Sequence, residues 1–165
     1  MAVEFEDNTI KVKAKMNERL VAVLEECAGE LESQAKRNTK VGKINNGART
    51  KNQWQHKVID SELIAYIGNP QQTAIWLEFG TGEHAIPNPD GKGSRKGGWY
   101  IPIGEGEKMI SPATVKAYGF KVVEGKNGMK FAHTYGMKAQ RPFWNAYTKM
   151  KNPIIKRLQN ALKGL

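Results

Sequence analysis

The sequence holds one cysteine, Cys27, three scattered histidines and no long apolar run. A single thiol excludes an intrachain disulfide framework and a thiolate zinc site. The apolar stretches, such as residues 63–67 and 73–77, fall far short of the roughly 20 residues a membrane span needs. A secretory signal is not expected, because Glu4, Glu6 and Asp7 stand where such a signal needs cations followed by an apolar segment. The cell interior is therefore the expected compartment, with no membrane partner. Carboxylates are absent from the closing stretch. From Lys138 onward the chain carries Lys138, Arg141, Lys149, Lys151, Lys156, Arg157 and Lys163 and no acidic residue, a balance suited to a polyanion or to acidic surfaces of a partner. A solvated helix face that keeps the protein soluble is the plainer reading of the same residues.

What is present describes a globular chain. At 165 residues, with 39% hydrophobic and 25% charged residues, a single domain spanning 1–165 can bury a core without covalent staples. The net charge of +10 is uneven. Residues 1–35 contain eight acidic and four basic groups, a sum of −4, which leaves +14 for the remainder.

Met16, Leu20, Val23, Leu24, Cys27, Leu31 and Ala35 step by threes and fours, which predicts a long helix starting at Asn8 or Thr9 and stopping near Asn38 to Gly42. Cys27 lies in this stripe and reads as a small core residue. Residues 38–53 read as an exposed connection. Strands are expected near 55–60, 62–67 and 73–79, the last from the alternation of Ile75, Leu77 and Phe79. Residues 80–98 carry six glycines, Pro87, Pro89 and the cations Lys92, Arg95 and Lys96, and read as a long mobile loop within an insertion over about 80–110. Residues 99–103 return to the core. Residues 118–123 and 129–133 then flank an Asn127-Gly128 turn as a hairpin. A closing amphipathic helix puts Phe143, Ala146, Tyr147, Met150, Ile154, Leu158 and Leu162 on one face, with Pro153 expected to kink or divide it.

The fold class predicted is α+β: a long N-terminal helix and a C-terminal helix packed on a small, mainly antiparallel sheet. Little in the chain resembles catalytic machinery. His56, His84 and His133 match no ligand spacing, and a hydrogen-bonding role suits each better than metal binding. Pro89-Asp90 followed by Glu124-Gly125-Lys126 resembles a metal-dependent nuclease signature, in which carboxylates hold a divalent metal beside the attacked phosphate. Both halves, however, fall on a Gly-rich loop and a hairpin tip, which a rigid active site would not use. No cofactor, metal or catalytic residue is expected. Lys92, Arg95, Lys96, Trp99 and Tyr100 combine cations with aromatics, a grouping that can grip phosphates and stack on bases. Such aromatics more commonly anchor a loop onto its sheet.

Two segments are more specific: Ala74-Ile75-Trp76-Leu77-Glu78-Phe79-Gly80-Thr81, and residues 136–146 with Arg141-Pro142-Phe143 at their centre. Together with the segment Thr50 to Trp54, they resemble the tailed-bacteriophage neck or tail-completion protein family, whose members carry a Val-Glu-Phe-Gly-Thr type motif and a later Arg-Pro-Phe type motif opening the last helix. The resemblance covers most of the chain outside residues 82–110. It implies a non-enzymatic virion component of the head-to-tail junction or of tail completion, made in the host cytoplasm. It also implies a homo-oligomeric ring that contacts other connector or tail proteins around a channel for double-stranded DNA, met without sequence preference. A free-standing, basic, sequence-independent nucleic-acid-binding module is the alternative, ahead of the nuclease. The motif residues Glu78, Phe79, Gly80, Thr81, Arg141, Pro142 and Phe143 are expected to support fold or interface. Glu78 would accept hydrogen bonds from backbone or from Arg141, Pro142 would preset the first helical turn, and Phe143 would anchor it. If the final helix lines a channel, Lys149, Lys151, Lys156 and Arg157 are the expected DNA contacts, and the acidic first helix of one subunit is expected to meet basic surface on the next.

Overall fold

A computed structural model describes residues 9–42, 48–87 and 95–163. Helix α1 (Thr9–Asn38) lies alongside helix α5 (Pro142–Lys163), and the two pack on a hairpin of β1 (Gln55–Ile59) and β2 (Ile64–Gly68). The short helices α2 (Arg49–Asn52) and α3 (Gln72–Phe79) flank this hairpin in sequence. A second sheet orders β3 (Trp99–Pro102), β5 (Lys130–Thr134) and β4 (Lys121–Glu124) as β3-β5-β4, all antiparallel, with helix α4 (Pro112–Tyr118) leading into β4. The fold is α+β, with two small sheets in place of the one expected.

The predicted stripe of α1 is the core. Leu31 and Ala35 pack with Trp54 and Ala146, and Ile67, Phe143, Met150 and Ile154 close around them. Ala35 and Ala146 have no exposed surface, so small side chains let α1 and α5 approach closely. Trp54 stacks on Phe143 with ring centroids 5.9 Å apart, and its indole N–H donates to Thr39 Oγ1 at 2.8 Å. Thr39 in turn donates that hydroxyl to the Ala35 carbonyl, so the polar atoms entering this core are paired.

Four expectations are corrected. Residues 72–79 form a helix and no strand. Asn69 Oδ1 accepts the Gln71 N–H, the Ala74 N–H then closes the first turn on the Gln71 carbonyl, and Gly80 N–H ends the helix on the Trp76 carbonyl. The β-rich composition loses to tertiary context, because the helix buries Ala74 and aims Glu78 at α5. Residues 112–118 form a helix that was not anticipated. Ser111 caps it through the Thr114 N–H, Pro112 fills its first turn, and Gly119 ends it at φ 67°, so the following strand starts at Lys121 and not at 118. Helix α5 runs unbroken through Pro153, whose exposed position lets water take the carbonyl the missing N–H leaves free. The expected loop is partly structured: the Glu83 N–H donates to Tyr135 O and the Arg95 N–H to Gly82 O, while residues 88–94 lie outside the described residues.

His56 joins β1 to α1. Its Nδ1 lies 2.5 Å from Glu32 Oε2 and its Nε2 lies 3.1 Å from Glu25 Oε2. The Glu32 hydrogen bond is the main reason the imidazole pKa is raised above 6.5. Burial disfavours the Glu32 carboxylate, yet hydrogen bonds from Lys36 and His56 outweigh it and hold its pKa below 4.5. A raised histidine pKa gives stability that is complete below about 6.5 and lost as pH climbs through the raised value. A lowered glutamate pKa gives stability that is present above 4.5 and lost as pH falls through the lowered value. The α1–β1 contact is thus strongest between those limits. His56→Ala is expected to destabilise the fold more at about pH 6 than at about pH 9 in chemical denaturation; an equal loss at both would mean that the imidazole contributes packing alone.

Candidate functional site

Helix α5 begins with four orphan donor positions, and the chain accounts for each. Pro142 has no N–H. The Phe143 N–H donates to Glu78 Oε2 at 2.9 Å and the Trp144 N–H to Glu78 Oε1 at 3.0 Å. The Arg141 N–H reaches the Leu77 carbonyl at 3.2 Å, which also accepts the Gln140 N–H at 2.8 Å. A carboxylate from a distant helix therefore caps α5, combining charge-assisted hydrogen bonds with the favourable field of a helix N-terminus. The donors are backbone amides. The Arg141 guanidinium instead sits over the Trp144 ring, 4.8 Å from its centroid, while Nε is buried without a hydrogen-bond partner.

The rest of the joint is equally close. Thr81 N–H donates to Met137 O at 2.8 Å, and the Met137 N–H returns to Thr81 Oγ1 at 2.9 Å. Gly80 takes φ 74° and ψ −175°, and a Cβ there would lie 2.6 Å from Met137 O and 2.8 Å from Ala139 N. Only glycine permits that backbone and that approach. Arg141 itself has φ 53°, a strained setting held by its N–H bond to Leu77 and by its carbonyl accepting the Asn145 N–H. Pro142 is buried, and Asn38 at the end of α1 donates to its carbonyl at 3.0 Å. All seven motif residues thus meet in one place. An apolar cleft of about 440 Å³ opens beside them, lined in part by Ile75, Phe79, Phe143 and Trp144.

The predicted contact residues that the structure describes lie on separate elements. Lys92 and Asp90 lie outside the described residues. Arg95 and Lys96 are exposed in the turn before β3, and Trp99 packs its ring against Gly82, as a loop anchor would. Lys149, Lys151 and Lys156 are exposed on α5, with Lys151 Nζ 5.9 Å from the Tyr147 ring centroid. Arg157 turns inward, 2.8 Å from Glu30 Oε1 and 3.9 Å from Glu26 Oε1. The hydrogen bond to Glu30 raises its pKa further, and burial raises that of neighbouring Cys27. Arg157 thus lies beside Glu26 and Glu30 on α1, and His56 beside Glu25 and Glu32.

Glu124 lies on β4 opposite Lys130, and among the described residues no group of three His, Cys, Asp or Glu side chains is placed to hold a metal. Sequence reasoning gave His133 a hydrogen-bonding role, which it has with the Gly97 carbonyl, but passed over Tyr135; His133 stacks on Tyr100 and meets Tyr135 edge-on. The alternation of Phe131, His133 and Tyr135 after a defined Asn-Gly turn was the available signal. No family model, curated protein or solved structure matches the chain.

Removing the Glu78 cap is expected to cost about 2 kcal/mol in Glu78→Ala, and roughly half of that in Glu78→Gln, which keeps one acceptor. On a chain of this size such a loss lowers the melting temperature by about 4–8 °C. Calorimetry of both variants checks it, and an unchanged Glu78→Ala would show that water caps the helix as well as the carboxylate does.

Proposed function

We propose that this protein is a structural component of a tailed-phage or prophage virion, acting at the head-to-tail junction or in tail completion as a homo-oligomeric ring. The observation that carries the reading is the joint itself. The two segments on which the family resemblance rests are about sixty residues apart in sequence, yet Glu78 and Thr81 of the first bind the backbone of the second. Residues used in this way have an architectural role: their polar groups are spent on each other's backbone and do not face a substrate.

Exposed apolar surface supports the assembly part of the proposal. Ile75, Trp76, Trp144, Tyr147 and Ile155 are all more than a third exposed; Ile75 and Trp144 line one cleft, Trp144 meets Tyr147, and Tyr147 and Ile155 line another, a run of apolar surface of the kind that partners cover. The exposed lysines of α5, Lys149, Lys151 and Lys156, would meet DNA phosphates in a channel, with affinity that falls steeply as salt rises. Glu26 and Glu30 contact Arg157 yet stay largely exposed, so the acidic helix of one copy can still face basic surface on the next, alongside the apolar contact.

No helix among the described residues is long and apolar enough to cross a membrane. The net charge of +10 makes copies repel one another, a repulsion that salt screens. Self-association should therefore strengthen between about 0.05 and 0.5 M salt, while duplex DNA binding weakens over the same range. Light scattering across protein concentration, with electron microscopy of the largest species, tests the ring. Monomers alone at every salt concentration, even with a portal or tail-tube protein added, would remove the proposal, and Trp144→Glu should abolish whatever assembly is seen.

A further inference from the structure

The β3-β5-β4 sheet carries a feature that the joint and the ring leave unused. Tyr100 on β3 and Lys121 on β4 both stand directly opposite His133 on β5. Residues opposed across neighbouring strands point to one face, so Tyr100, His133 and Lys121 form a row, with Lys121 about 10 Å from Tyr100. The Tyr100 ring stacks on the imidazole with centroids 4.4 Å apart and an interplanar angle of 26°, and Tyr135 meets the same imidazole edge-on at 4.6 Å. His133 is itself buried and donates Nε2–H to the Gly97 carbonyl at 3.0 Å. The tyrosines are not buried: Tyr100 is 61% and Tyr135 is 52% exposed.

We infer that this row is a binding site for unpaired bases of single-stranded nucleic acid. One face of the Tyr100 ring is taken by His133, and its exposure leaves the other face free for a nucleobase, which any base can use because every base has a flat π surface. Cations lie on the same two edges of the row. Arg95 and Lys96 lie in the turn that holds Gly97, and Lys121 closes the row on the far strand. Of the nearby carboxylates, Glu83 is engaged, its Oε1 accepting the Gly97 N–H at 2.7 Å, and Glu124 lies at the far end of β4 in register with Lys130. The platform is also fixed before binding. Gly82, Gly98 and Gly136 pack so tightly against the backbones of Tyr135, Thr134 and Thr81 that none tolerates a Cβ, so little ordering cost falls on the bound state. In a duplex the bases are stacked on each other and offer this face nothing but phosphate, so single strands are preferred.

The test is fluorescence anisotropy with a labelled oligo-dT of about 12 nucleotides and a duplex of equal length, at about 0.05 M salt. Single strand is expected to bind at least about 10-fold more tightly than duplex, and Tyr100→Ala and Tyr135→Ala are each expected to weaken it by roughly 5- to 100-fold while leaving duplex binding in place. Tyr100→Phe should retain it. Lys121→Ala should flatten the salt dependence by about 0.7 in the log–log slope, the loss of one phosphate contact. Equal affinity for single strand and duplex overturns the inference, as does binding that neither tyrosine variant changes. Tyr135→Ala carries the test if Tyr100→Ala does not fold. The site is separate from α5, so light scattering on the same samples reports ring assembly independently, and either proposal can fail alone.

Discussion

One carboxylate closes this fold. Glu78 places both oxygens on the first two free amides of α5, and through that contact the short helix α3, the final helix and the turn at Arg141 take fixed positions relative to one another. The geometry leaves little slack. Pro142 supplies no donor, the Arg141 N–H is held by Leu77, and the carboxylate takes what remains, so the helix start is satisfied without its own Ser, Thr, Asp or Asn cap. A cap from a distant segment does more than a local one, because it ties two parts of the chain together with the energy a local cap would use within one turn.

From this point the structure divides into two parts joined by a narrow strip of backbone. On one side lie α1, α5 and the β1–β2 hairpin, with Trp54, Phe143 and Ala146 at their centre. On the other lies the three-stranded sheet. Residues 80–83 and 135–139 run between them, and glycines at 80, 82 and 136 make the close approach possible. Any side chain at Gly80 would collide with backbone atoms, which cannot swing aside as the end of a flexible side chain could. The strip is therefore closely packed where the sheet joins the helical body.

Much of this was legible in the residues. The stripe of α1 from Leu20 to Ala35, the apolar face of α5 and the Asn127-Gly128 hairpin follow from periodicity or from turn chemistry, and of the two donors expected for Glu78, backbone or Arg141, it takes backbone. What was not legible depended on contacts distant in sequence. Residues 72–79 carry strand-forming side chains, and only the need to bury Ala74 and aim Glu78 makes them helical. Pro153 reads as a break, yet its exposed setting within a helix already held by α1 tolerates the missing bond. The carboxylates of α1 read as a surface for a neighbour. Arg157 and His56 contact four of them within the chain, and no sequence pattern links Glu30 to Arg157, 127 positions away.

The same joint decides what the outside of the molecule presents. Trp144 gives its backbone N–H to Glu78 while its ring, covered on one side by the Arg141 guanidinium, remains 47% exposed. Ile75 and Trp76, on the helix that carries Glu78, are 42% and 41% exposed. A single set of bonds therefore fixes the buried contact between α3 and α5 and the apolar surface beside it. Under the proposed ring assembly, that surface is where a neighbouring copy would bury apolar area. Weakening the Glu78 cap would loosen both at once. Under the same proposal the motif couples folding to assembly, because the surface that joins copies is complete only when the final helix is capped.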